Sequence, residues 1–395
     1  MDILAVNVGS TSLKYAVFDD DRVRCRGKAG RVAAAGAVLV HEADGITTER
    51  ALPRPGLEAA LEVMLEALGP VLGGVLAAAF KVVHGGEDAT GVVFVDDATL
   101  AALERYSPVA PAHNPPYLLA IRHLRRILPG VPVVGSFETG FHAGWAPEVR
   151  AYALPAGWAE RYGLRRYGFH GASNRYVTER MAKLAPEARR LLICHLGGSS
   201  SVCAVVDGRS VDATMGFSPQ SGVPQAERVG DLDAFALVHL AAAGVPLEEA
   251  ADALSSHGGL LGLSGLSGDL QELEAAEARG HAGAAFALDV YAYHVRKAIG
   301  GLVVAMGGLD GVTFTGGMGE NSPRLRERIC RDLGFLGVEL DPTRNQDAMG
   351  EACVSPPGAR VHVWVVPTDE ERILVRQARE LLASAGISGG TGRTG

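Results

Sequence analysis

Apolar runs and small-residue turns alternate from the first residues. Ile3-Leu4-Ala5-Val6-Asn7-Val8 stops at Gly9-Ser10-Thr11-Ser12, and Leu13-Lys14-Tyr15-Ala16-Val17-Phe18 follows, closed by Asp19-Asp20-Asp21. This pattern predicts strand, turn, strand. It returns at Leu192-Ile193-Cys194-His195-Leu196, Gly197-Gly198-Ser199-Ser200-Ser201 and Val202-Cys203-Ala204-Val205-Val206-Asp207. Overlaid without gaps, Asn7 meets His195, Gly9 meets Gly197, Thr11-Ser12 meets Ser199-Ser200, Ala16 meets Ala204 and Asp19 meets Asp207. Two hairpins of one design predict an internal duplication.

Elsewhere the period switches between 2 and 3.6. Helical spacing marks Leu57–Leu68, which stops at Gly69-Pro70, and also 98–106, 116–128, 234–243, 247–254, 271–306, 324–333 and a last helix over about 370–383. Short apolar runs at 80–83, 131–135, 311–315 and 361–366 predict further strands. Strands alternating with helices predict an α/β fold. Two hairpin-led halves predict two lobes with a cleft between them, residues 1–150 and 151–383, with the last helix able to pack back on the first lobe. The segment 384–395 is rich in Gly, Ser and Thr and is expected to be disordered.

Composition narrows the class. The chain has 395 residues, 47% hydrophobic, which excludes collagen-like and disordered readings. A net charge of −8 argues against a nucleic-acid or anionic-membrane surface. The five cysteines (Cys25, Cys194, Cys203, Cys330, Cys353) have no framework spacing, which predicts a reducing compartment. Met1-Asp2-Ile3 lacks the basic segment of a signal peptide, and the longest apolar stretch, 71–80, is too short to span a membrane. A cytoplasmic enzyme with a large core is expected.

Ligands of open α/β sheets gather at the carboxyl ends of strands. Five such ends carry small or polar clusters: Asn7 to Ser12, His84-Gly85-Gly86, His195 to Ser201, Thr315 to Asn321, and Thr368-Asp369-Glu370. Gly-rich turns bring backbone N–H groups close to an anion, and hydroxyls add donors. Nucleotide-phosphate binding is therefore expected. Walker A, G-x-G-x-x-G and protein-kinase signatures do not occur. In the run from Arg161 to Gly171 the arginines read as solvated or interfacial, whereas His170 is placed to donate to a phosphoryl oxygen. Lysine is scarce, with five against 32 arginines, so Lys14 and Lys81 beside strand-end turns are unlike casual surface charge.

These motifs, in order, resemble the acetate kinases of the acetokinase family. The resemblance rests on Asn7-Val8-Gly9-Ser10-Thr11-Ser12-Leu13-Lys14-Tyr15, Lys81-Val82-Val83-His84-Gly85-Gly86, His113-Asn114-Pro115 and Arg165-Arg166-Tyr167-Gly168-Phe169-His170-Gly171-Ala172-Ser173. It continues through His195 to Ser201, Asp212 to Phe217, Val229 to Asp233, Gly317 to Asn321 and Pro367 to Glu371, and covers Ile3 to about Ala378. It implies two duplicated actin-like ATPase (ribonuclease H-like) domains with a central nucleotide cleft, and a homodimer. It implies reversible transfer of the ATP γ-phosphoryl group to acetate or another short-chain carboxylate.

The resemblance also implies roles. Glu138, His170 and Arg228 would be catalytic. Lys81, Val83, Ala112, Phe169 and Pro219 would bind the carboxylate. Lys14, His195, Leu196, Gly197, Gly198, Ser199, Asp269, Leu270, Gln271, Gly317, Met318, Gly319, Glu320 and Asn321 would hold ATP. Asn7 and Glu370 would hold Mg²⁺. Nucleic acid and membrane are not expected partners.

Several positions depart from the family pattern. Glu138 stands for the catalytic Asp, Lys81 for a substrate-gripping Arg, Gly198 for an Asn, Asn174 for a His and Ala112 for a Leu of the acyl pocket. Lys keeps the charge but loses the planar fork. Ala112 would admit a longer acyl chain, so a propionate- or butyrate-preferring kinase is an alternative. The joint changes at Lys81, Glu138 and Gly198 open a third reading, a weakly active nucleotide-binding regulator.

Overall fold

The computed structural model describes residues 2–9, 11–111 and 113–387. Contacts divide the chain into two units, Met1–Ala143 with Asp369–Gly395, and Gly144–Thr368. The sequence puts the break near 150; the contacts put it after Ala143 and return the last helix to the first unit.

The first unit holds eight strands: β1 (Asp2–Val8), β2 (Ser12–Asp19), β3 (Arg22–Gly30), β4 (Val38–Ala43), β5 (Ile46–Ala51), β6 (Val75–Val82), β7 (Val92–Phe94) and β8 (Val133–Phe137). They lie in the order β5-β4-β3-β2-β1-β6-β8-β7. The second unit holds β9 (Arg190–His195), β10 (Ser201–Val206), β11 (Arg209–Ala213), β12 (Gly311–Thr315), β13 (Ala352–Cys353) and β14 (His362–Val365), in the order β11-β10-β9-β12-β14-β13. In both sheets two antiparallel hairpin partners flank one side of the first strand and two parallel strands follow on the other. The shared order β3-β2-β1-β6-β8 and β11-β10-β9-β12-β14 is the duplication the hairpins announce.

The ungapped overlay needs one correction. Asn7 pairs with Lys14, but His195 pairs with Ser201, so the second turn is one residue shorter. Past the turn the overlay slips by one, and a one-residue slip exchanges the two faces of a strand. Ala16 shares its pair with Ala5, whereas Ala204 pairs with Leu192.

Strands β3 to β5 and β11, and the helix Gly171–Leu184, lie where no element was expected. Strand β3 reads Arg-Val-Arg-Cys-Arg-Gly-Lys-Ala-Gly and buries only Cys25 and Ala29, so its apolar signal is faint. β5 is exposed throughout, and its Thr, Glu and Arg side chains suit a sheet edge. A signal was present, since Asp44-Gly45 and Asp207-Gly208 both adopt positive φ and close the β4–β5 and β10–β11 hairpins. The expected helix 271–306 is two helices, Leu270–Ala278 and Ala282–Met306, parted at Gly280 (φ 86°).

The helix Glu370–Ser384 buries Leu374, Val375, Ala378 and Leu382 against Ile3, Ala5, Ala16, Phe18, Ala77, Ala79 and Val134. That packing sets its acidic first turn, Glu370-Glu371, within the first unit. Residues 388–395, most of the segment expected to be disordered, lie outside the described residues, and Ser384 closes the last helix. No helix among the described residues is long and apolar enough to cross a membrane.

Candidate active site

In the first unit, parallel strands deliver polar groups at their carboxyl ends. Asn7 lies near the end of β1, Lys81 near the end of β6, and Glu138 directly after β8. The Lys81 ammonium stands 2.6 Å from Glu370 Oε2, and the two side chains are 18% and 16% exposed. Burial alone would push the Lys81 pKa down, but Glu370, then Glu138 and Tyr117, hold it above the usual lysine value. The Tyr117 hydroxyl donates to Asn7 Oδ1 at 3.1 Å. Burial raises its pKa, Lys81 opposes that, and Glu138 and Glu370 add to it. Glu138 is buried. Asn7, Lys81, Glu138 and Glu370, chosen from sequence, thus share one electrostatic cluster. Tyr117 was missed: it lies three residues past His113-Asn114 in an apolar helical stripe, where a tyrosine reads as core.

Asn7 and Glu370 offer amide and carboxylate oxygens, with Glu138 close by, and hard oxygen donors suit Mg²⁺. Three His, Cys, Asp or Glu side chains able to hold a metal do not converge anywhere among the described residues. Any metal here would need substrate or water oxygens as well, which is ordinary for Mg²⁺ at a phosphate site.

In the second unit His170 caps the helix Gly171–Leu184 with φ 58°, a left-handed conformation that costs a non-glycine residue about 1 kcal/mol. Its Nδ1 lies 2.8 Å from Ser201 Oγ, and its ring lies 4.2 Å from that of His195. His195 Nδ1 in turn lies 2.8 Å from Ser173 Oγ. Two imidazoles are therefore fixed at the end of β9, each by a serine. Of the neighbouring arginines, expected to be solvated or interfacial, Arg166 is half-buried, pairs with Asp212 at 2.8 Å and lies over Trp145.

Arg228 is a half-buried cation of the same unit. Its Nη1 donates to Ser199 Oγ (3.1 Å), Gln225 Oε1 (3.1 Å) and the Pro219 carbonyl (3.5 Å). Among the described residues all its acceptors are uncharged, and burial pulls its pKa below the usual arginine value. A cation with neutral partners that keeps part of its surface open, as Arg228 does, can receive an anion.

A cavity of about 580 Å³ in the same unit is lined by Gly197, Gly198, Ala226, Gly268, Asp269, Leu270, Gln271, Glu274, Gly317, Met318, Asn321 and Ser322. Its size suits a nucleotide-scale ligand. Eight residues chosen for ATP lie on this wall. Others chosen with them hold the wall in place. Leu196 is fully buried, and its carbonyl accepts from Met318 and Gly319 N–H at 2.9 and 3.1 Å. Gly319 is buried too, and the Glu320 carboxylate accepts from Gly316 N–H at 2.8 Å and Thr368 N–H at 3.2 Å. Asp269 caps the helix Leu270–Ala278 by accepting from Gln271 and Glu272 N–H. Ser199 Oγ donates to Gln225 Oε1. A Cβ at Gly198 would meet no atom within 4 Å, so packing does not account for the missing Asn.

Gly316 (φ 77°) closes the β12 turn, and a Cβ there would come within 2.7 Å of the Leu196 carbonyl oxygen. Gly316→Ala is expected to cost roughly 2–3 kcal/mol and to weaken nucleotide binding. Urea unfolding and nucleotide calorimetry check this, and a wild-type midpoint would count against it.

The remaining candidates are scattered. Lys14 belongs to the first unit, exposed on β2 beside a groove of about 450 Å³ with Arg26, Lys28, Glu42 and Glu371. Val83 is buried in the first unit, and Phe169 and Pro219 are buried in the second. Ala112 lies outside the described residues.

Comparison with known proteins shows the family. The acetokinase family model matches residues 2–376. An acetate kinase of Thermosipho melanesiensis is 39% identical over 97% of this chain and 98% of its own. One of Thermotoga maritima is 39% identical over 98% of this chain and 100% of its own. Among solved structures, a Porphyromonas gingivalis acetate kinase superposes with a TM-score of 0.86 at 32% identity, covering 96% of this chain and 99% of that one. A Francisella tularensis propionate kinase superposes with 0.89 at 28% identity, covering 95% and 98%. The two sheets of common order are the duplicated actin-like ATPase fold. Through its motifs, its two sheets and its near full-length likeness to these enzymes, the chain belongs to the acetokinase family.

Proposed function

We propose that this chain is an acetate kinase, which transfers the γ-phosphoryl group of ATP reversibly to acetate. A carboxylate oxygen attacks the γ-phosphorus, the bond to the β,γ-bridging oxygen breaks, and ADP leaves with the electron pair. The products are acetyl phosphate and ADP. The observation that carries this reading is Arg228, a half-buried cation with only neutral acceptors, bonded to Ser199, the neighbour of Gly198 in the lining of a nucleotide-sized cavity.

The transition state for such a transfer is loose, so catalysis is mainly positioning and charge neutralisation. The turns at Gly197-Gly198 and Gly317-Met318, with Asp269 to Gln271, would cradle ATP. Lys14, His195, Leu196, Ser199, Gly319, Glu320 and Asn321 complete that assignment. Arg228 would neutralise the phosphoryl oxygens and His170 would donate to one of them. Lys81 would hold the substrate carboxylate, with Val83, Ala112, Phe169 and Pro219 about the acyl group. Glu138 would orient the reacting groups from the first unit. Asn7 and Glu370 would hold Mg²⁺, which when bound offsets the charge of the ATP phosphates. A cytoplasmic homodimer belongs to this reading on the strength of the family resemblance.

A hydroxamate assay with Mg-ATP and acetate, propionate or butyrate tests it. Acetyl hydroxamate in clear excess is expected. A preference for propionate or butyrate would favour the longer-chain reading that Ala112 suggests. If none of the three is phosphorylated while ATP still binds, the enzyme reading falls and the nucleotide-binding regulator replaces it.

A further inference from the structure

The reading above gives Lys81 to the substrate carboxylate and Glu370 to the metal. In the structure the two side chains are bonded to each other, Nζ to Oε2 at 2.6 Å, with little exposure of either. Glu138 acts electrostatically on the same ammonium, and Tyr117 occupies Asn7 Oδ1. Two carboxyls thus face one ammonium, and when both are ionised the cluster carries one excess negative charge. Adding a dication turns that into one excess positive charge, which a substrate carboxylate cancels.

We infer that the Lys81 ammonium and the divalent cation compete for Glu370, so that metal arrival releases Lys81 to receive the substrate carboxylate. The inference rests on the carboxylate-kinase reading and adds an order of events to it. Two cations cannot both keep hydrogen-bond or ligand distance to one carboxylate oxygen without strong repulsion. Asn7 poses no such conflict, because its donor is a neutral hydroxyl and an amide oxygen has a second lone pair. Lysine suits the exchange: its ammonium is a compact donor on a flexible stem, whereas an arginine fork would hold a carboxylate by two bonds. By linkage, the metal raises affinity for the carboxylate by the same factor as the carboxylate raises affinity for the metal.

Mn²⁺ alone, titrated into the full-length protein without nucleotide or acetate and read by electron paramagnetic resonance, tests this without turnover. Lys81→Met removes the competitor and is expected to tighten Mn²⁺ binding about tenfold or more. Lys81→Gln serves the same purpose should the methionine variant fail to fold. Lys81→Arg keeps a charge and can grip Glu370 by two bonds, so Mn²⁺ is expected to bind no more tightly than to wild type. Glu370→Gln is expected to lose the site. Unchanged or weaker Mn²⁺ binding in Lys81→Met, or equal tightening in Lys81→Arg, overturns the competition. Absence of Mn²⁺ binding in both wild type and Lys81→Met overturns it together with the metal assignment. The hydroxamate assay reports separately on the enzyme reading.

Discussion

Replacing Arg228 by alanine is expected to lower kcat by about 10³-fold and to leave the unfolding midpoint unchanged or slightly raised. At 1.36 kcal/mol per decade this is about 4 kcal/mol of transition-state stabilisation. The asymmetry follows from the surroundings of the guanidinium. Ser199 Oγ donates to Gln225 Oε1 at 2.9 Å, and Gln225 Nε2 donates to the Pro219 carbonyl at 2.8 Å. The three acceptors of Arg228 are therefore satisfied by one another without it, and removal leaves no orphaned polar atom. What disappears is a poorly solvated cation, which costs stability in the free protein and gains its return only when an anion arrives. Steady-state kinetics and urea unfolding of the same preparation test both halves. A parallel fall in activity and stability would mean that Arg228 is a packing residue.

Arg326→Met is expected to do the reverse, lowering stability by about 3–5 kcal/mol. Arg326, at 1% exposure, heads the largest fully buried side chains among the described residues. Its Nε donates to Asn345 Oδ1 (2.7 Å), Nη1 to the carbonyls of Gly319 and Glu320 (both 2.9 Å), and Nη2 to the Asn345 carbonyl (2.8 Å). Burial pulls its pKa down, yet methionine would abandon these oxygens inside the core, a greater loss than the desolvation it relieves. Gly319 and Glu320 belong to the short helix after β12 whose Gly317, Met318 and Asn321 line the cavity. Nucleotide affinity should therefore fall as well. Denaturation of the second unit, followed with and without ATP, reads both effects. A midpoint within experimental scatter of wild type would show that the buried network is dispensable.

The site was partly visible before folding. Asn7, Lys81, Glu138 and Glu370 are far apart in sequence and meet because three parallel strands end side by side and the last helix returns to the same unit. Strand-end position marked Asn7, Lys81 and Glu370, whereas Glu138 was named only through the family resemblance. Tyr117 and Arg326 were not visible. Each sits in a helix of ordinary amphipathic pattern, and its importance comes in part from a partner distant in the chain, Asn7 for Tyr117 and Asn345 for Arg326. Leu196 and Glu320 were assigned to ATP through the family resemblance, and the fold also uses them to shape the Gly-rich turns in which they lie. Sequence neighbourhood does not tell a lining residue from one that holds the lining.

By itself the sequence determined the α/β class, the duplication and the small-residue turns at the strand ends, because apolar periodicity and Gly placement are local properties of the chain. It could not determine strands such as β3 and β5, whose side chains are charged and whose stability comes from cross-strand pairing. Nor could it determine the one-residue difference between the two hairpin turns, since register is set by the pairing of both strands. The Lys81–Glu370 pair was also decided only by the tertiary structure. A charge at position 81 meets one at position 370 because burial of Leu374, Val375 and Ala378 docks the last helix on β1 and β6. Hydrophobic packing fixes which charges face each other, and the charges then set what the site can bind.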